Sequence, residues 1–564
     1  MKISRLSLCL SLVVGVAACK KDSVGSDQPL PTEFKPKPAD VDTSKLKAPT
    51  LFASIPSDTP YVVAAFEAVP LDYYAKMKAA LGPTFQKSFT QIRAMEADGL
   101  STKPGMLEAV MTELDGKWNQ AGLESLGFSA TPRFALYGLG IVPAVFRLEV
   151  KDDKAVLATI ERIAKKADQT LPALETRDGR SFWRFAQRKA DLVVAFADNQ
   201  LIVAIGPAAS IDAKLPLILG IEKPAQNMAD GKALGEVMKK HGFGPHLIGY
   251  ADSRLLATQA MTFAGMQPSA ACTSELDRVT AMAPRLVVGY SELSVKRATG
   301  GMVLELAPDL LKMVEALRTD VPGLGVAMSD EPLAAFGGGV DLAGGQKLGL
   351  MIATTVGKLG DACQWSHVQQ SAEEMRASLG KPLPAEISSV RGGILAIQSV
   401  SFGGRARNNP IPDAMEAFAV VSSGDAKGLV AALMKLAPPL QQLGLETDGK
   451  LHKLGGGMLP IPFDVYAGVG DKAVVVGVGN KGQKLAEKMI DAPSGGKSPF
   501  LVMSYDYGKF VELRAQMLPD FGDAEDGGLD KQASDDLSKL FGRATVSIDV
   551  NDKGLVMWGS MEMK

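Results

Sequence analysis

Cysteine and histidine are scarce in this chain, with four of each among 564 residues. So few leave room for one disulfide at most once the N-terminal cysteines are set aside, and none of the histidines stands in a recognisable metal-ligand pattern. Basic residues are not in excess either: 61 Lys and Arg face 63 Asp and Glu, a net charge of −2. No stripe of Lys and Arg interleaved with aromatics is present, which argues against nucleic acid as a partner. After the first residues no apolar run approaches the roughly 20 positions that a membrane-crossing helix requires. Hydrophobic residues make up 46% and charged ones 22%, so most of the chain can bury a core. At this length one core is too few, and two domains of similar size are expected.

The first residues carry an address. Lys2 and Arg5 precede an apolar run to Val14, followed by Val16-Ala17-Ala18-Cys19. This is the positive flank, short apolar segment and small-residue site of a secretory signal. It resembles bacterial lipoprotein precursors, which implies a signal peptide over 1–18 and lipidation of Cys19 as the new N-terminus; the alternative is an ordinary signal with an incidental cysteine. Lys20, in place of Asp, implies the outer membrane rather than the inner one, again by resemblance. Loss of Lys2 and Arg5 leaves 59 basic against 63 acidic side chains and a charge of −4. Cys9 leaves with the signal, so Cys272 and Cys363 are the mature thiols. Both open helix-like segments, and they form either one disulfide tying the two halves of the chain together or two buried thiols. Residues 19–48, rich in Lys, Asp and Pro, read as a solvated tether.

Beyond the tether the chain is written twice. Ser57-Asp58-Thr59-Pro60 is matched by Ser329-Asp330-Glu331-Pro332. A helix opening at Asp152, with Val156, Leu157, Ile160 and Ile163 in one stripe, is matched by one opening at Asp425 with Leu429, Val430, Leu433 and Leu436. Leu174-Glu175-Thr176 is matched by Leu445-Glu446-Thr447. A hairpin turning at Asp198-Asn199 is matched by one turning at Gly470-Asp471. The offsets are 271 to 273 throughout. Later anchors, such as Pro245 with Pro499 and Arg285 with Arg543, drift to 254 and 258, which places about 15 extra residues around Gly220 to Gly242 in an insertion of the size that surface loops tolerate. Each copy mixes hairpins with amphipathic helices and lacks regular strand-helix alternation. The expected fold class is α+β, in two similar tandem domains over 49–320 and 325–564, each an antiparallel sheet packed against helices. The Asp58-Thr59-Pro60-Tyr61-Val62 segment and the glycine-turn hairpin over Gly179 to Gly206 resemble a family of exported bacterial proteins of unknown function. That resemblance implies an envelope location and fold, and carries no catalytic residues.

Motifs that invite chemistry have plainer readings. Gly477-Val478-Gly479-Asn480-Lys481-Gly482 matches a dinucleotide fingerprint, but copy one reads Ala204-Ile205-Gly206-Pro207-Ala208-Ala209 and the strand belongs to a hairpin, so a tight turn into a helix is expected. Ser378-Leu379-Gly380-Lys381 has Ser-x-x-Lys spacing without its companion motifs. Cys363 and His367 are four apart on one helical face, yet His241, His246 and His452 lie far off in sequence. Asp520, Asp523, Glu525, Asp526 and Asp530 crowd an apparent loop that fails the EF-hand register. The 24 Met read mostly as core filler. No catalytic residue, cofactor or metal is assigned. The chain is expected to be a non-enzymatic lipoprotein held to the membrane through Cys19 and binding another envelope component, protein or lipid. The alternatives are a carrier or chaperone for an apolar ligand, held in a groove within or between the copies, and a hydrolase with dispersed residues. A deep apolar cavity would favour the carrier, a flat apolar patch the binder, and clustered perturbed acids or bases the enzyme.

Overall fold

The computed structural model describes residues 38–43, 45–73, 75–77, 106–117, 119–129, 131–186, 190–329, 331–402, 412–436, 438–454, 462–490, 496–517 and 538–564. Cys19 and the acidic residues from Asp520 to Asp530 lie outside them. Helices and a large antiparallel sheet make up the described residues, an α+β composition. In the first half the strands are β1 (Tyr61–Ala64), β2 (Phe134–Gly138), β3 (Ala144–Glu149), β4 (Glu175–Arg177), β5 (Arg180–Ala186), β6 (Asp191–Ala197), β7 (Gln200–Gly206), β8 (Ile248–Asp252), β9 (Arg285–Leu293) and β10 (Arg297–Glu305). The second half supplies β11 (Ala334–Gly339), β12 (Val390–Ser401), β13 (Ala414–Ser423), β14 (Leu451–Lys453), β15 (Val465–Val469), β16 (Ala473–Val478), β17 (Leu501–Asp506), β18 (Phe541–Asn551) and β19 (Gly554–Met563).

Pairing runs β4-β5-β6-β7-β3-β2-β1-β8-β9-β10 and continues β19-β18-β17-β11-β12-β13-β16-β15-β14. Read outward from β10 and from β19, the two orders coincide, and among the described residues β4 alone lacks a counterpart. Where the sequence leads to a separate sheet for each copy, the ladder is continuous: β10 pairs with β19 from Arg297 opposite Glu562 to Glu305 opposite Gly554. Nineteen strands exceed the roughly ten that an open sheet usually carries; each half has a main core where its strands meet its helices, and a smaller cluster bridges the two, with Leu293 and Ala298 against Phe541, Ala544 and Met561. In the first half Val62, Tyr137, Val145 and Ile202 bury against Ile211, Leu215 and Ile218 of the helix Ala208–Ile218. In the second, Ile394, Phe418 and Val475 bury against Leu485, Ala486 and Met489 of the helix Gly479–Ile490.

Local signals explain most of these elements. Asp198 and Asn199 both take positive φ, 53° and 60°, the left-handed pair that a two-residue hairpin needs and that Asp and Asn tolerate best after glycine. Asp152 accepts from the N–H groups of Lys154 and Ala155 at the start of Asp153–Lys166, and Asp425 accepts from Gly428 N–H at 2.8 Å, so both helices are capped as their sequences require.

Three expectations are corrected. The segment around Gly220 to Gly242, expected as a surface-loop insertion, holds the helix Lys232–His241, whose Leu234, Val237 and Met238 are buried in the first core. The tether ends earlier than composition indicates, because Ala39 N–H bonds to Gly242 and Val41, Leu46 and Ala48 pack on that core. The stripe of Ala426–Leu436 is buried only at Leu429 and Val430, whereas Leu433 is 43% and Leu436 81% exposed, so its C-terminal half presents apolar side chains to solvent.

Candidate functional site

Beneath the join of the two halves lies a cavity of about 580 Å³. Its floor is the seam itself, where Leu304 of β10 stands directly opposite Leu555 of β19. Side chains alternate across a strand, so the neighbours Val303 and Val556 point the other way and bury in the first core. Val279 and Met282 of the helix Ala270–Met282 form one wall, and Leu348, Ile352 and Val356 of the helix Leu342–Cys363 the other. Leu310 and Val314 of the helix Pro308–Ala316, with Phe500, complete the lining, and the cavity opens to solvent. Fourteen of the fifteen lining residues are apolar, the exception being Thr355, and thirteen of the fifteen are only half-buried. Aliphatic side chains normally hide from water; these keep much of their surface free because they face an open volume.

A disulfide holds the walls together. Cys272 and Cys363 are bonded with their Cα atoms 4.6 Å apart. Cys272 precedes Val279 by seven residues and Cys363 follows Val356 by seven, two helical turns in each case, so bond and cavity share one face of each helix. Cys272 lies in the first turn of its helix, as read. Cys363 is instead the last residue of a 22-residue helix, closing one rather than opening one.

The tempting motifs do not converge on this cavity. Gly479, at φ 71°, turns β16 into the helix Gly479–Ile490, and a Cβ at Gly482 would lie 2.1 Å from the carbonyl oxygen of Ala417. The position where a phosphate would sit is filled by the protein: Glu416 Oε2 accepts from Lys481 N–H at 2.7 Å and Gly482 N–H at 3.1 Å. The glycines thus serve close packing and a carboxylate cap, and the antiparallel setting of β16 lacks the βαβ unit of a dinucleotide site. Ser378 is exposed near the end of Ser366–Leu379, where Gln346 Nε2 donates to the carbonyls of Leu379 and Lys381. Cys363 and His367 do not share a helical face, because Gln364 at φ 57° ends one helix and Ser366 begins the next.

One cluster escaped the sequence. Glu446, Asp448 and His452 bring their ligand atoms within 4.8 Å of one another, the arrangement among the described residues that would suit a metal ion. It is largely exposed, and the Asp448 hydrogen bond at 2.9 Å, with the Glu446 carboxylate beside it, raises the His452 pKa, as in a solvated ion pair. The strongly perturbed acids serve structure elsewhere. Burial pushes Glu113 upward, but Lys117, Lys166 and Arg162 outweigh it and hold its carboxyl at about 2. Glu305 is buried too, and His241 Nε2 at 2.9 Å, Lys240 at 2.5 Å and Arg285 at 2.8 Å hold it far below the usual carboxylate range. Neither acid lines the cavity.

Comparison with protein-family models, with curated proteins and with solved structures found no match for the chain.

Proposed function

We propose that this chain is a lipid-anchored envelope protein whose two halves, the products of an internal duplication, hold an apolar ligand with an acyl chain in the seam cavity. The observation that carries the reading is the lining: fourteen apolar residues around about 580 Å³, most of them half-buried, within the roughly 300–1,000 Å³ range of small-molecule pockets. The coincident strand orders and the recurring motifs support the duplication, and the segment from Lys2 to Cys19 supports the anchor. An enzyme is disfavoured because the perturbed acids Glu113 and Glu305 are held in ion pairs and neither lines the cavity. The reading predicts that a fluorescent C16 fatty acid binds one to one, and that affinity for unlabelled fatty acids rises by up to about fourfold per methylene, from about 0.8 kcal/mol for each CH₂ buried. Ile352→Trp fills the cavity and should abolish binding while the circular dichroism spectrum is retained; unchanged binding by a folded I352W would remove the site. In cells, labelling with an alkyne fatty acid should be lost in Cys19→Ser. A second reading, docking on an envelope protein through Ala426–Leu436, is favoured by the exposure of Leu433 and Leu436; crosslinking in the intact envelope that recovers a protein partner, lost in Leu436→Glu, would support it instead.

A further inference from the structure

A second pocket, of about 360 Å³, lies wholly within the first half and has the opposite character. The Ser57-Asp58-Thr59-Pro60 turn, the loop Gly138–Gly140 after β2, and the helices Ala208–Ile218 and Ser253–Phe263 meet there. Buried Thr59 builds one wall: its Oγ1 lies 2.8 Å from the Gly138 carbonyl oxygen and accepts from Gly138 N–H at 3.2 Å. Gly140, at φ 122°, closes the loop, and a Cβ there would stand 3.8 Å from Gln259 Oε1.

Three polar side chains of the lining are unspent. Gln259 Oε1 is buried with no hydrogen-bond partner. Asp58 and Lys214 line the same pocket, are exposed, and among the described residues make no ion pair with each other or with any other group. A buried acceptor without a donor has lost its hydration with nothing in return, so such a group is retained where something else supplies the N–H or O–H. One unpaired carboxylate, one unpaired ammonium and one acceptor in a single small cleft complement a ligand that carries an ammonium, a carboxylate and an N–H.

We propose that this pocket binds a zwitterionic amino acid or short peptide, with its carboxylate on Lys214, its ammonium on Asp58 and an N–H donated to Gln259 Oε1. The inference is independent of the seam cavity. Calorimetric titration of the full chain with L-alanyl-L-alanine is expected to give saturable one-to-one binding. Asp58→Asn and Lys214→Met should each weaken it about 10- to 100-fold, and Gln259→Leu about fivefold or more, as expected for charge-assisted and neutral hydrogen bonds. Ile352→Trp should leave it unchanged. N-acetyl-L-alanyl-L-alanine amide, which lacks both charges, should not bind. Absence of saturable heat, equal binding of the blocked peptide, or wild-type affinity in both D58N and K214M would overturn the proposal. Asp58 and Lys214 are surface residues, so their variants should retain the wild-type melting temperature, and that measurement separates lost binding from lost folding.

Discussion

The two halves pack an equivalent helix on an equivalent part of the sheet, yet grip it by opposite ends with opposite charges. In the first half Arg147 of β3, fully buried, donates from Nη2 to the carbonyls of Leu217 and Ile218 at 3.2 and 2.8 Å, at the C-terminus of Ala208–Ile218. Its remaining donors meet Tyr137 Oη at 2.9 Å and Gln200 Oε1 at 3.0 Å. By ladder register, the corresponding places in the second half are Val420, Ala396 and Ala473, all apolar. There Glu416 of β13 serves the helix N-terminus instead. A helix presents partial positive charge at its start and partial negative charge at its end, so either device satisfies orphan backbone groups and complements the dipole. The architecture therefore demands a helix on the sheet and leaves open which end is anchored.

The largest test of that contrast is Arg147→Met. It strips partners from Tyr137, Gln200 and two helix carbonyls in a dry site, and should destabilise the first half by about 3–5 kcal/mol in urea unfolding followed by circular dichroism; a neutral result would mean that the network does not hold the helix. Next comes the staple between halves. Cys272→Ser with Cys363→Ser should cost about 2–4 kcal/mol, read as a lower melting temperature, and should weaken C16 fatty-acid binding by letting the walls of the cavity part. Loss of stability with binding intact would restrict the bond to a structural role. The smallest effect is expected at Glu416→Ala, about 1 kcal/mol from a lost cap, confined to the second half; a loss as large as that of R147M would make the two anchors equivalent in energy as well as in place.

Much of each half was legible before the structure. Asp152 and Asp425 announce capped helices, and Asp198-Asn199 announces a turn, because capping and left-handed conformations depend on residues a few positions apart. The helix Lys232–His241 was not, since its Leu234, Val237 and Met238 sit in a segment that reads as an insertion when the copies are aligned. The docking of Val41, Leu46 and Ala48 on the first core was missed because three apolar residues are too few to outweigh the polar composition around them. The cavity had no signal at all: Val279, Leu304, Ile352 and Leu555 come from four elements across both halves, each an ordinary apolar residue on its own.

The sequence by itself determined the mixed class of the fold and the recurring motifs, both of which rest on composition and on contacts between near neighbours. Only the tertiary structure decided that β10 and β19 join the halves into one sheet, that Cys272 meets Cys363, and that a glycine motif is filled by Glu416. Those outcomes depend on long-range pairing, and edge strands carry unpaired N–H and C=O groups that any matching edge can satisfy. The cavity exists because the helices Ala270–Met282 and Leu342–Cys363 stand on either side of the seam.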